Sequence, residues 1–168
     1  MDIPLYSSLK SLRISTANLR TLDGIERFQN LETFGLSFAS KLSDISALKH
    51  SLLKWIYFEY CPKIYDYGVL GEVASLSGVS LTAQKIKSIG FAKKLPALKI
   101  LKISGTIEDR DLSPVSSAEY VWFDDRKFYP FRHDEPWLEA KNRLCTVDWE
   151  GKEICRLEWF ERPWPHIS

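Results

Sequence analysis

The sequence predicts an α/β solenoid with about six short parallel strands on its concave face, a mostly irregular or short-helical convex side, and a C-terminal β-hairpin cap. Three observations carry this expectation. An apolar triplet at relative positions 0, 3 and 5 recurs along the chain, its copies start about 22 residues apart, and the pattern ends near Asp124, where an aromatic-rich tail begins.

The triplet is clearest in Leu98, Leu101 and Ile103. On an α-helix Leu101 and Ile103 would face nearly opposite sides, whereas on a strand they share one face and Leu98 has the wrong parity to join them. The chain must turn between Leu98 and Leu101, so the strand is very short. Upstream copies are Leu9/Leu12/Ile14, Leu31/Phe34/Leu36, Leu53/Ile56/Phe58 and Leu76/Val79/Leu81, and a worn sixth follows at Ala118/Val121/Phe123. Their starting residues are separated by 22, 22, 23, 22 and 20 positions, which identifies a repeat array. A unit of this length carries too few apolar side chains to offset its own ordering entropy, so it is stable only when stacked on its neighbours. Stacking also explains the short strands, because adjacent copies satisfy their backbone groups.

The return half of each unit is read from apolar spacings of three: Leu19, Leu22, Ile25 and Phe28, then Leu42, Ile45 and Leu48, and later Ile86, Ile89, Phe91 and Leu95. A period of three suits a tight 3₁₀-like or extended path with one interior face. A longer helix is expected, if anywhere, in the third unit, IYDYGVLGEVAS, where Asp66 is placed to cap and Gly71 weakens the helix.

These residues resemble the leucine-rich repeat family over about residues 5 to 125. The consensus L-x-x-L-x-L-x-x-N/C-x-L is met at its first three positions in five copies. At the N/C position stand Ala17, Ala39, Cys61, Gln84 and Thr106, so one copy conforms. In the family that side chain ties down the turn leaving the strand, and the first two turns are therefore expected to be less regular. The resemblance implies a solenoid over residues 1–125 with residues 126–168 as a C-terminal capping segment of the same structural unit.

In the tail, the β-rich runs from Leu144 to Trp149 and from Lys152 to Phe160 flank Glu150-Gly151 and read as a hairpin. Cys145 and Cys155 fall on its two arms, as small hydrophobes or as a redox pair, in a register the sequence leaves open. Trp137, Trp149, Trp159 and Trp164 are suited to packing the cap. The passage from CPKIYDYGVL through ISGTIEDRDLSP to YVWFDDRKFYPFRHDE resembles small bacterial leucine-rich repeat proteins of the toxin-immunity type. That resemblance implies a protein partner, a bacterial toxin domain, which the chain would neutralise.

Composition narrows the alternatives. Lys+Arg at 23 against Asp+Glu at 22 leaves a net charge of +1, which disfavours nucleic acid and anionic membrane as partners. No secretory leader and no apolar run of membrane-spanning length is visible, so a cytoplasmic location is expected. Three cysteines in 168 residues suit a reducing compartment. No nucleophile elbow, phosphate-cradling glycine loop, HExxH or paired CxxC occurs, and Arg132-His133-Asp134 alternates sides on an extended chain. The reading is of a non-enzyme with no cofactor and no metal, with Cys61 and His133 the weak candidates for the opposite case.

The residues between core positions face the concave side. The expected protein-binding residues are Arg13, Trp55, Tyr57, Glu59, Tyr60, Ile100, Lys102, Tyr120, Trp122 and Asp124. Aromatics in such positions either anchor a partner or are covered by the tail. Six strands about 4.8 Å apart and about 17 Å wide give a face of about 400 Å². A stable complex needs about 800 Å² from each partner. Loops leaving the strands, at Thr16, Phe38, Tyr60 and Asp125, or the cap must then share the contact. Two functions follow: an immunity protein, monomeric when free, that occludes a toxin, or a non-enzymatic scaffolding or self-associating repeat protein with no toxin partner.

Overall fold

The register of the sheet follows the repeat. The computed structural model describes residues 8–114, 118 and 120–123. Within them six strands, β1 (Ser11–Ser15), β2 (Thr33–Ser37), β3 (Trp55–Glu59), β4 (Gly78–Ile86), β5 (Ile100–Ile107) and β6 (Tyr120–Phe123), form one parallel sheet in sequential order. Leu12, Phe34, Ile56, Val79, Leu101 and Val121 pair in succession, so the second position of every triplet falls in one column. The tail read as a capping hairpin lies outside the described residues.

Each strand is entered through a shared acceptor. The carbonyls of Lys10, Glu32, Lys54 and Ser77 each accept two N–H groups, from the residue pairs 32/33, 54/55, 77/78 and 99/100. The crossover path is built from 3₁₀ turns at Ile25–Arg27, Ser46–His50, Gly68–Glu72 and Gly90–Lys94. The third unit forms no longer helix than the second and fourth, five residues in each. Its interior contacts, Ile64, Tyr67, Leu70 and Val73, are spaced by three like those of its neighbours, and an α-helical period would carry some of them out of the core. Asp66 is not the N-cap, which is Tyr67, but from one residue earlier its Oδ1 accepts from the Gly68 N–H at 2.8 Å. Asp44 does the same for Ser46 at 2.8 Å and the Ser88 hydroxyl for Gly90 at 2.9 Å, a ladder of acceptors repeating every 22 residues.

The interior is filled by the triplets and their returning partners, from Leu22 to Val121. Phe34 meets Phe58 edge-on at 6.2 Å, and Phe58 meets Tyr67 at 6.1 Å. An apolar cavity of about 280 Å³ opens beside the first repeat, bordered by Leu12, Ile14, Leu22, Ile25, Phe28 and Phe34. Among the described residues no helix is long and apolar enough to cross a membrane.

The expectation that the first two strand exits are the less regular ones is overturned. Exits one to three are alike: Thr16, Phe38 and Tyr60 adopt φ of 58°, 57° and 50°. Each then donates its N–H to the next rung, to Ser37 O at 2.9 Å, Glu59 O at 2.8 Å and Thr82 O at 2.9 Å. The same backbone bond closes all three turns; at the third the Cys61 thiol adds contacts to Leu36 O at 3.8 Å and Glu59 O at 3.6 Å, which Ala17 and Ala39 cannot make. The departures come later, where β4 runs on to Ile86 through a register shift between Thr82 and Lys85. That shift buries Ala83 and leaves Gln84 exposed, so Gln84 does not take the inward position its spacing predicts.

Candidate functional site

Across β1 to β5 the concave positions form three rows. The first holds Ser11, Thr33, Trp55, Gly78 and Ile100, the second Arg13, Gly35, Tyr57, Ser80 and Lys102, and the third Ser15, Ser37, Glu59, Thr82 and Ser104. Rungs two and four are built of small residues, and rung three of large ones. The consequence is that the large side chains lie down. The six-membered edge of Trp55 rests on Gly78 so closely that a Cβ there would sit 2.0 Å from Cε3 and Cζ3. Gly35 likewise leaves a gap across which the Arg13 guanidinium lies over the Tyr57 ring, its carbon 5.7 Å from the centroid. A cation in that position is attracted by the ring quadrupole.

Glu59 ties this group together. Its Oε2 accepts from the Ser37 hydroxyl at 3.2 Å. Burial, reinforced by a hydrogen bond to the Glu59 carboxylate and by its charge, holds the Tyr57 phenol far above its ordinary titration range, with Arg13 opposing. Tyr57 therefore stays neutral and donates. Ser80, beside Tyr57 in the middle row, is buried, and its Oγ has no partner among the described residues.

At the C-terminal rim of the sheet the three left-handed residues continue the ladder. A non-glycine residue in that region costs about 1–3 kcal/mol, and here the cost is met by bulky side chains. Phe38 and Tyr60 stack at 5.3 Å with planes 18° apart, yet they remain 53% and 55% exposed. Packing does not account for aromatics at these positions.

Of the residues expected from sequence, Arg13, Tyr57 and Glu59 come together across β1 and β3, Trp55 lies over Gly78 towards β4, and Tyr60 follows Glu59 at the strand exit. Lys102 occupies the middle row, partly exposed. Ile100, expected to face a partner, is buried at 5% and lies outside the interior cluster, so its side chain is closed off on the concave side. Tyr120 and Trp122 are placed by backbone pairing with Ile100 and Lys102. Asp124 lies outside the described residues, as do His133, Cys145 and Cys155. Cys61 is buried at 1%, and burial pushes its thiol up, away from the thiolate a nucleophile needs. Sequence reading placed Phe38 on a strand-leaving loop without ranking it among the contacts. Its signal was a left-handed position filled by an aromatic, which spacing alone does not reveal.

No protein-family profile matches the sequence, and no curated protein matches it. Among solved structures, a leucine-rich repeat protein of Leptospira interrogans aligns over 75% of this chain and 39% of its own, at 13% identity and a TM-score of 0.49. An internalin of Listeria monocytogenes aligns over 70% of this chain and 48% of its own, at 19% identity and a TM-score of 0.34. The aligned region is thus less than half of either of those proteins. Six parallel rungs whose triplets pair in one column, 3₁₀ crossovers and inward triplets about every 22 residues give this chain the leucine-rich repeat fold.

Proposed function

We propose that this chain is a non-enzymatic protein-binding solenoid, and more narrowly a bacterial immunity protein that holds a cognate toxin domain inactive in the cytoplasm. The observation that carries the reading is the Arg13–Tyr57–Glu59 group on the concave sheet, with the Trp55 indole laid on Gly78 beside it. The indole rests directly on Gly78 and the guanidinium lies over the phenol, and aromatic and guanidinium groups dominate protein interfaces. The toxin partner rests on the sequence resemblance of the CPKIYDYGVL to FRHDE region. Residues 126–168 complete the unit as its cap, and the free chain is a monomer.

The test is to read the gene immediately upstream and, where it encodes a large secreted protein with a variable C-terminal domain, to co-express that domain with this chain; an upstream gene of another kind counts against the immunity reading. The wild-type chain restores growth and binds that domain in titration calorimetry. Trp55→Arg with Tyr57→Ala abolishes both while circular dichroism stays unchanged. A wild-type chain that neither binds nor protects removes the immunity reading. Binding that survives the double substitution removes the concave-face assignment.

A further inference from the structure

The exits of the second and third rungs repeat one another as Phe38-Ala39-Ser40-Lys41 and Tyr60-Cys61-Pro62-Lys63, 22 residues apart. In each, a left-handed aromatic stands exposed, the next residue plugs the core, and the lysine returns to solvent. Adjacent rungs stack, so the two rings meet and the two lysines take equivalent places in neighbouring turns. Among the described residues neither lysine joins an ion pair. The carboxylates of the same rungs are engaged: Glu59 by Ser37, Asp44 by the Ser46 N–H, and Asp66 by Lys87 and the Gly68 N–H. Glu59 and Asp44 keep their charges, because their donors are neutral, but both are already hydrogen-bonded, whereas the two lysine ammoniums are exposed and have no ion-pair partner among the described residues.

We infer that this rim docks an acidic segment of a partner protein, whose carboxylates meet Lys41 and Lys63 while an apolar side chain packs on the Phe38–Tyr60 stack. The inference deepens the protein-binding reading above and rests on it. It also supplies contact area beyond the strand face, which alone is too small for a stable complex. The fold does not need these rings: a left-handed exit is served more readily by asparagine or glycine. Aromatics kept there against that preference have a use outside the fold. A polyanionic nucleic acid suits the site less well, because two lysines on a chain of net charge +1 offer no extended basic track.

The probe is a displayed library of random 12-residue peptides, panned on the full wild-type chain. Clones are then scored against three variants: Phe38→Asn/Tyr60→Asn, Lys41→Glu/Lys63→Glu and Trp55→Arg. The expected result is enrichment of Asp and Glu beside apolar residues. Binding should weaken at least tenfold on each rim variant, weaken with added salt, and persist on Trp55→Arg. The asparagine pair should keep its circular dichroism spectrum and its urea midpoint, or raise the midpoint; Phe38→Tyr/Tyr60→Phe should bind like wild type and guards against a folding artefact. No enrichment, enrichment of Lys and Arg, or clones indifferent to the rim variants would overturn the proposal. So would a (dT)12 oligonucleotide that binds more tightly than the peptides and displaces them. Clones lost only on Trp55→Arg belong to the concave face, so the two readings fail separately.

Discussion

Gly78→Ala isolates the pose of Trp55. The new Cβ would lie 2.0 Å from two ring carbons and 2.9 Å from a third. Ordinary carbon contacts need about 3.5–4.0 Å, so the ring must retreat by about 1.5–2 Å. The strand cannot yield in its place, because Trp55 and Gly78 are paired in register between β3 and β4. Gly78 does not occupy the left-handed region, so alanine suits its backbone and the cost falls on the ring. A tryptophan covers about 150–250 Å² when buried. Losing about half of that at about 25 cal/mol per Å² removes about 2–3 kcal/mol. Restricting the unfolded chain returns about 0.4–1 kcal/mol. The expected net destabilisation is about 1–2.5 kcal/mol, read from urea unfolding followed by circular dichroism. A double-mutant cycle makes the attribution specific: in a Trp55→Ala background the penalty should vanish or change sign. An equal penalty in both backgrounds, or one below about 0.5 kcal/mol, would refute a ring lying on glycine.

Three further outcomes are expected. Tyr67 is fully buried and its hydroxyl has no partner among the described residues, so Tyr67→Phe should raise the urea midpoint, by about 1 kcal/mol of stability; a clear loss would mean that the hydroxyl is bonded. Gly105 has φ of +132°, and a Cβ there would sit 1.7 Å from the Ala83 carbonyl oxygen, so Gly105→Ala should destabilise by about 3 kcal/mol or more and open the β4–β5 pairing to hydrogen exchange. The Lys87 ammonium, assisted by the Gly68 N–H, holds the Asp66 carboxyl below its ordinary 3.8. That contribution is present above pH 3.8 and is lost as pH falls through the lower folded value. The stability gap between wild type and Asp66→Asn should accordingly narrow in acid, and a gap constant across that range would count against the interaction.

The solenoid was legible because its signal is redundant. One triplet is ambiguous, but six triplets at a near-constant interval leave a single column, and Leu12 to Val121 occupy it. The third crossover was harder to read. Asp66 and Gly71 suggested and then weakened a helix, and the decisive fact was that Ile64, Tyr67, Leu70 and Val73 continue the spacing of three used by their neighbours. Weighted against the adjacent units, that spacing already argues for a 3₁₀ path. The N/C position misled for a different reason. The consensus assigns the turn to a side chain, and Cys61 does bond Leu36 O and Glu59 O, but Thr16, Phe38 and Tyr60 all enter the left-handed region and make the same backbone bond to the next rung whether or not such a side chain is present. Composition gives no warning of this, since aromatics and threonine are poor residues for that region.

The site was legible as a set of outward positions but not as an arrangement, and the difference lies in which residues stand between the large ones. Strand parity puts Trp55 and Tyr57 outward regardless of what flanks them. For Trp55 the arrangement is seen one rung away, where Gly78 lies under the indole, and for Tyr57 two rungs away, where the Arg13 guanidinium reaches its ring across the position of Gly35. A side chain at Gly78 would lift the indole, and one at Gly35 would fill the space between Arg13 and the phenol. Small residues of rungs two and four are thus as much part of the face as the aromatics of rung three. A partner that matches this face must be shaped to rings held close to the sheet, not to rings extended from it.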